Sequence, residues 1–303
     1  MTEKPIVPLA IISPVRDEAN YVRNTLEAML AQTVRPQEWL FVDDGSTDDT
    51  RAVIETYAAK YPWIRVISRE NRGFRHLGSG VIAAFDFGRE RLRTKDYRYI
   101  AKLDGDMSFS PRYLELMLAK LDSDPQLAAV SGKVFRPENG GVIEEFIIDE
   151  MVAGQFKLYK RAAFEDIGGF TQTILWDGID IHRCRMKGYF TLSFHHPEAR
   201  LIHHRVMGSS DSSVFKGRVR LGRGIWFMGY HPLYAIASGL FRMHEWPYVI
   251  GGLIIVASYF FSALRKEPQF ADQAFIRDLR KWQMQQLRML PTRLFHYRRS
   301  SRT

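Results

Sequence analysis

Apolar residues fall into two spacings along this chain: short unbroken runs, and stretches in which they recur every third or fourth position. The first spacing predicts strands buried on both faces, the second amphipathic helices. A run over 9–13, stopped by Pro14, predicts a first strand, and Val22, Leu26, Met29 and Leu30 mark a helix from residue 20. The cycle then repeats. Strand 39–42 leads through an acidic turn, 43–50, to a helix reaching residue 57, and strand 64–67 leads through a basic loop to a helix over 81–92. A fourth strand begins at Tyr99 and is followed by a helix that Ser110 caps and Pro111 opens, with Leu114, Leu118 and Leu121 on its buried face. Another strand covers 127–134. Such alternation predicts an α/β class, a Rossmann-like, mostly parallel central sheet flanked by helices on both faces.

Past residue 215 the pattern changes. Neither 225–241 nor 247–264 contains a Lys, Arg, Asp or Glu. A full span needs about 20 apolar residues, so short spans, a hairpin dipping into one leaflet, and buried helices all stay open. Arg218, Arg220 and Arg223 ahead of the pair and Arg265 and Lys266 behind it agree with both ends being cytoplasmic. Farther on, Phe275, Ile276, Leu279, Trp282 and Leu287 share one helix side, with Arg277, Lys281 and Arg288 opposite. A basic amphipathic helix of this kind suits an anionic interface.

The net charge of +9 raises the question of a nucleic-acid partner. From Arg277 onward, however, eight basic residues stand against the single Asp278, so most of the excess lies in the tail. A basic tail behind an apolar stretch fits a membrane surface, and no interleaving of aromatic and basic residues argues for nucleic acid. Cys184 is the only cysteine, which excludes an intrachain disulfide and a cysteine-based zinc site and fits a reducing compartment. The stretch MTEKPIVPLA lacks the pattern of a signal peptide.

Candidate chemistry gathers at the predicted strand ends, where open α/β sheets bind ligands. Asp43 and Asp44 end the second strand. Asp104 and Asp106 end the fourth, and an extended Asp-Gly-Asp puts both carboxylates on one side while glycine lets a ligand approach. Such an oxygen-rich pair suits Mg2+ or Mn2+ shared with phosphates. Arg69, Arg72, Arg75 and His76, spaced by Gly73, Gly78 and Gly80, suit a diphosphate.

Taken in order, IISPVRDEANYVRNTLEAMLAQT, VDDGSTDDT, the Asn71-Arg72-Gly73 loop, LDGDMSF, the IGGF of 167–170 and WDGIDIHRCRMKGY resemble the family 2 inverting glycosyltransferases of GT-A fold, over about residues 7–210. The resemblance implies a nucleotide-sugar donor, with a UDP-sugar expected, and a divalent metal ion. By position, Asp43 would meet the nucleobase edge with Asp44 beside it, Asp104 would sit near the ribose or the metal, and Asp106 would ligate the metal. Arg72, Arg75, Arg218 and Arg223 are candidates for the diphosphate, and His204 for a further metal ligand. An inverting transfer also needs a base. The family takes it from an E-D-x-D-like segment, read here as Trp176-Asp177-Gly178-Ile179-Asp180 with glycine in place of the second acid. Asp177 is favoured and Asp180 is second, with capping of a helix through 186 as its other reading.

The implied division is a GT-A catalytic domain over 1–215, with a nucleotide-binding half to about 110 and an acceptor half beyond. An apolar helical hairpin, membrane-associated, follows over 216–268, then a basic amphipathic helix and tail over 269–303. No Q-x-x-R-W segment occurs, which favours addition of a single sugar. The implied acceptor is a lipid-linked or other saccharide, and the setting is bacterial cell-surface or exopolysaccharide assembly at the cytoplasmic face of the inner membrane. Two alternatives stay open: transfer onto a polyprenyl phosphate, and a non-catalytic sugar-nucleotide-binding subunit of a synthase complex. A dinucleotide dehydrogenase is disfavoured, since no G-x-G-x-x-G follows the first strand.

Overall fold

The computed structural model describes residues 4–71, 78–138, 140–145, 147–205 and 213–300, with side chains to residue 289. Two compact units divide the chain, Met1–Val206 and Met207–Thr303. In the first, β1 (Ile6–Val15), α1 (Val22–Leu30), β2 (Arg35–Asp43), α2 (Thr50–Ala58), β3 (Ile64–Ser68), α3 (Ser79–Glu90) and β4 (Tyr99–Leu103) alternate as the spacing predicts. Then come β5 (Met107–Phe109), α4 (Tyr113–Asp122), β6 (Leu127–Gly132), β7 (Val134–Glu138), β8 (Gly141–Glu144), β9 (Phe156–Lys160), α5 (Arg161–Asp166), α6 (Trp176–Met186), β10 (Phe190–Phe194) and β11 (Leu201–His203).

Seven strands form one sheet in the order β10-β6-β9-β4-β1-β2-β3. All run parallel except β9, which pairs antiparallel with β4 and β6. Alternation along each strand feeds two cores. Leu9 and Ile11 of β1 and Trp39 and Phe41 of β2 join α1, α2 and α4 on one face, while Ala10, Ile12, Leu40 and Val42 join α3, α5 and α6 on the other. Burial on both faces explains why these strands read as continuous apolar runs. Because β1 to β4 are parallel, their carboxyl ends share one edge, and that edge carries the acids.

Two local expectations change. The strand expected over 127–134 is two strands: β6 stops at Gly132, and β7 resumes at Val134 in a second sheet of order β5-β11-β7-β8. Lys133 marks the break, its buried ammonium donating to Ile147 O, Asp149 Oδ1 and Ser193 Oγ. Ser110 does not cap α4, which starts at Tyr113; its hydroxyl donates to the Glu198 carbonyl instead.

The second unit holds α7 (Val214–Phe227), α8 (Pro232–Phe241), a single 3-10 turn (Arg242–His244), α9 (Val249–Leu264) and α10 (Gln273–Ser300). Glycines let its helices approach closely. A Cβ on Gly222 would stand 2.4 Å from Ile255 O, and one on Gly252 would stand 2.4 Å from Gly239 O. Among the described residues no helix is long and apolar enough to cross a membrane. At 16 residues, α9 is about 24 Å long against a hydrocarbon core of about 30 Å, which removes the short-span reading for the described helices.

Gly132 tests the packing where the two sheets part. Its N–H donates to Tyr113 Oη at 2.8 Å, and an added Cβ would lie 1.6 Å from Ala199 O. Neither partner is the free end of a flexible side chain, so Gly132→Ala is expected to destabilise the protein by about 3 kcal/mol, read as a lower midpoint in urea denaturation.

Candidate active site

The site is built on the loops that leave β1, β2 and β4. The first two are stitched together by carboxylates. Asp17, held at φ 55°, takes the Thr47 N–H on Oδ1 at 2.8 Å and donates its own N–H to Ser46 Oγ at 3.1 Å. Asp48 accepts from the N–H groups of Ala19 and Thr50, each at 3.0 Å, so it ties the start of α2 to the loop after β1. Asp43 is buried and accepts from Ser46 N at 2.9 Å and Ser68 Oγ at 3.3 Å. Asp44 pairs with Arg69 at 2.9 Å. Gly45 takes φ 80° in this turn, and a Cβ there would meet the Asn71 backbone at 2.6 Å.

Asp104 and Asp106 do not lie on an extended strand. β4 ends at Leu103 and β5 begins at Met107, so Asp104-Gly105-Asp106 is the turn between them. The carboxylates nevertheless feel each other. Burial raises Asp104 above the ordinary carboxylate value against the pull of Lys102, and the Asp106 charge adds to the rise. Burial also works against ionisation of Asp106, but hydrogen bonding and charge from His203, with Arg205 and Lys102, outweigh it and hold Asp106 low.

His203, not His204, faces this carboxylate. Antiparallel pairing of β11 with β5 sets His203 opposite Met107, and the His204 N–H donates to Asp106 O at 2.9 Å. The His203 Nε2 lies 3.4 Å from Asp106 Oδ2 and its Nδ1 lies 3.5 Å from Glu145 Oε1. Burial disfavours the imidazolium, but the two carboxylates reverse that and raise its pKa to about 10. His204 turns the other way, with Nε2 2.8 Å from Ser108 Oγ, and burial lowers its pKa. Arg205 completes the cluster, pairing with buried Glu18 and standing 3.6 Å from Asp106 Oδ2. His203, Glu145, Glu18 and Arg205 lay outside the sequence-derived site; only the paired histidines at 203–204 gave a signal.

The acceptor-side candidates lie on α6. Leu175 enters it at φ 55°, so the helix starts at Trp176 rather than at Asp180. Asp177 is in the first turn and half-buried, its Oδ2 near Gly154, where a Cβ would come within 3.2 Å. Asp180 is 1% exposed, and its Oδ2 accepts from Lys157 Nζ at 2.6 Å and Tyr159 Oη at 2.7 Å. Burial raises its pKa against the opposing Lys157 charge. A base must reach an acceptor hydroxyl, so this geometry makes Asp180 part of the scaffold. Lys157 also donates to Asp177 O at 2.8 Å, and Lys102 pairs with Asp104 while donating to Gly154 O at 2.7 Å. Both ammonium groups lie 5.2 Å from the centre of the Trp176 ring.

Arg72 and Arg75 lie outside the described residues. Arg218 and Arg223 belong to the second unit, where they pair with Glu245 at 2.8 Å and Glu267 at 3.1 Å.

A divalent ion fits the chemistry of the turn. Asp106 Oδ1 is buried without a hydrogen-bond partner among the described residues. No group of three or more His, Cys, Asp or Glu among them is arranged to hold a metal by itself. Two acids with a vacant oxygen suit an ion whose other ligands are phosphate oxygens and water.

Two outcomes follow from the charges. Lys157→Met leaves Asp180 buried and unpaired and is expected to cost about 3–5 kcal/mol in urea unfolding, whereas Lys157→Met with Asp180→Leu recovers much of the loss. The raised His203 pKa adds stability that is complete below pH 6.5, the unfolded value, and is lost as pH climbs through about 10. In EDTA, wild type should therefore lose about 1 kcal/mol per pH unit more than His203→Gln between about pH 7 and 9.

Comparison with known proteins gives these residues a context. Residues 10–174 match the family described as Glycosyl transferase family 2. A chondroitin synthase of Escherichia coli is 28% identical over 180 residues, 55% of this chain but 25% of that protein. A hyaluronan synthase of Pasteurella multocida is 32% identical over 180 residues, 55% of this chain and 18% of that protein. Glycosyltransferase AglE of Haloferax volcanii is 26% identical over 242 residues, 73% of this chain and 74% of that protein. Among solved structures, the mannosyltransferase PcManGT of Pyrobaculum calidifontis in complex with GDP-Man and Mn2+ superposes with a TM-score of 0.52 at 16% identity, covering 92% of this chain and 74% of that one. TarS of S. aureus, residues 1–349, gives 0.52 and 16%, covering 86% and 73%. At such identities the likeness shows the fold, the GT-A fold expected from the sequence.

Proposed function

Because the chain belongs to glycosyl transferase family 2 and is a glycosyltransferase, we propose that it moves one sugar, with inversion, from a nucleotide-sugar donor to a lipid-linked or other saccharide acceptor. The observation that carries this reading is the pair Asp104 and Asp106, turned together at the carboxyl edge of the parallel sheet with one buried carboxylate oxygen unpartnered. The donor is a nucleoside diphosphate sugar, in the first instance a UDP-sugar. Asp43 and Asp44 shape the turn that receives its base and ribose, with Arg72 and Arg75 serving the diphosphate. Asp104 and Asp106 hold Mn2+ or Mg2+, which when bound neutralises the departing diphosphate. His203 and Arg205 hold the Asp106 carboxylate ionised and aimed at that position.

Asp177 is the base. It takes the proton of the acceptor hydroxyl as that oxygen bonds to the anomeric carbon, while the bond from that carbon to the diphosphate breaks on the opposite face. Its half-buried place on the first turn of α6 supports the role over sequestered Asp180. The setting we propose is the cytoplasmic face of a bacterial membrane, in assembly of a surface or exported polysaccharide.

Calorimetric titration with nucleoside diphosphates and sugar nucleotides tests the donor half. Mn2+-dependent binding of one nucleotide is expected, abolished by EDTA and weakened about tenfold or more in Asp106→Ala. Folded protein that binds none of them, with or without Mn2+, sinks the donor and ion assignments together. Asp177→Asn should keep nucleotide binding and lower transfer at least about a hundredfold. A sugar phosphodiester as product would move the acceptor to a polyprenyl phosphate.

A further inference from the structure

Helix α9 presents two unlike faces. Its inner side, with Gly252, Ile255, Tyr259 and Ser262, is buried, and the Tyr259 hydroxyl donates to Tyr230 O at 2.7 Å. Its outer side carries Ile250, Leu253, Ala257, Phe261 and Leu264, all exposed. Intervals of three or four residues place these on one stripe running the length of the helix. Leu264 is 82% exposed and Ile250 58%, and the stripe carries no polar side chain. Single exposed apolar residues are ordinary, but a continuous stripe of them marks an interaction surface.

Its surroundings select the partner. At the amino end stand exposed Trp246 and Tyr248, with Phe215 of α7 contacting the Trp246 ring at 6.3 Å and Arg218 donating to Trp246 O at 2.9 Å. At the carboxyl end Arg265 and Lys266 are exposed, with the Arg265 guanidinium 4.5 Å from the centre of the Phe261 ring. Between residues 213 and 272 seven Lys and Arg face three Asp and Glu. An apolar middle with aromatic and cationic groups at its ends matches the layering of a membrane interface, hydrocarbon below and anionic headgroups at the margin. A helix about 24 Å long with one face committed to its own unit cannot span, but it can lie in the interface plane.

The membrane setting proposed for the transferase names no surface of the chain. We infer that the outer face of α9 is a docking surface for an anionic lipid leaflet, seated in plane with Trp246 and Tyr248 at one end and Arg265 and Lys266 at the other. The inference rests on that setting and not on the donor site.

Sedimentation of the full chain with phosphatidylcholine vesicles, with and without phosphatidylglycerol, tests it without nucleotide. Failure here therefore remains distinguishable from failure of the transferase reading, which calorimetry reports separately. Wild type should sediment with the phosphatidylglycerol vesicles and less so as salt rises. The variant Ile250→Glu/Leu253→Glu/Phe261→Glu, altered only at exposed positions, should bind about tenfold more weakly or worse, with unchanged melting. Arg265→Glu/Lys266→Glu should lose the preference for phosphatidylglycerol. Three results overturn the proposal: no sedimentation with either vesicle, binding by the triple variant equal to wild type, or a solution dimer that the triple variant dissolves, which would make a second copy the occupant.

Discussion

Two lysines stand directly opposite one another on neighbouring strands in the buried centre of the first unit. Lys102 of β4 and Lys157 of β9 are register partners, 2% and 0% exposed. Like charges across a strand pair repel, and a buried ammonium without an acceptor is costly, so each must be compensated on the spot. Lys102 is answered by Asp104 and the Gly154 carbonyl, and Lys157 by Asp180 and the Asp177 carbonyl. The face of Trp176 lies against both. Compensation therefore draws the turn after β4 and the first turn of α6 onto one spot.

Around that anchor lies a second group of charges, three acids against two basic side chains. Asp106 is held ionised by His203 and Arg205, Arg205 is shared with Glu18 of the loop after β1, and His203 is shared with Glu145. The loop after β1 is in turn bonded to the loop after β2 through Asp17 and Asp48. Most acids near the edge are thus spent on neighbouring donors. The Asp106 oxygen left without a hydrogen bond lies in the turn beside Asp104, whereas the Glu145 oxygens, also without hydrogen bonds, stand against the His203 ring.

Much of this architecture was legible because its signals are local. Apolar runs with helical spacing between them mark the strands and helices from β1 to α4, and alternation implies the parallel sheet whose carboxyl edge collects Asp43, Asp44, Asp104 and Asp106. Less legible were features set by contacts distant in sequence. The break at Lys133 follows from its ammonium finding partners at Ile147, Asp149 and Ser193. Ser110, a good cap by composition, is drawn off to Glu198.

What the sequence determined alone is therefore the order of elements, the strand-end acids and the family, since spacing and motif order are properties of neighbouring residues. Tertiary structure decided which of those residues meet. The register of β11 on β5 chose His203 over His204, because adjacent residues on a strand point to opposite sides and only pairing says which side faces Asp106. Burial against Lys157 and Tyr159 separated Asp180 from Asp177, though both acids lie within one helical turn. Packing of α9 through glycines on one side left its other side apolar and open, a division that an unbroken apolar run cannot express.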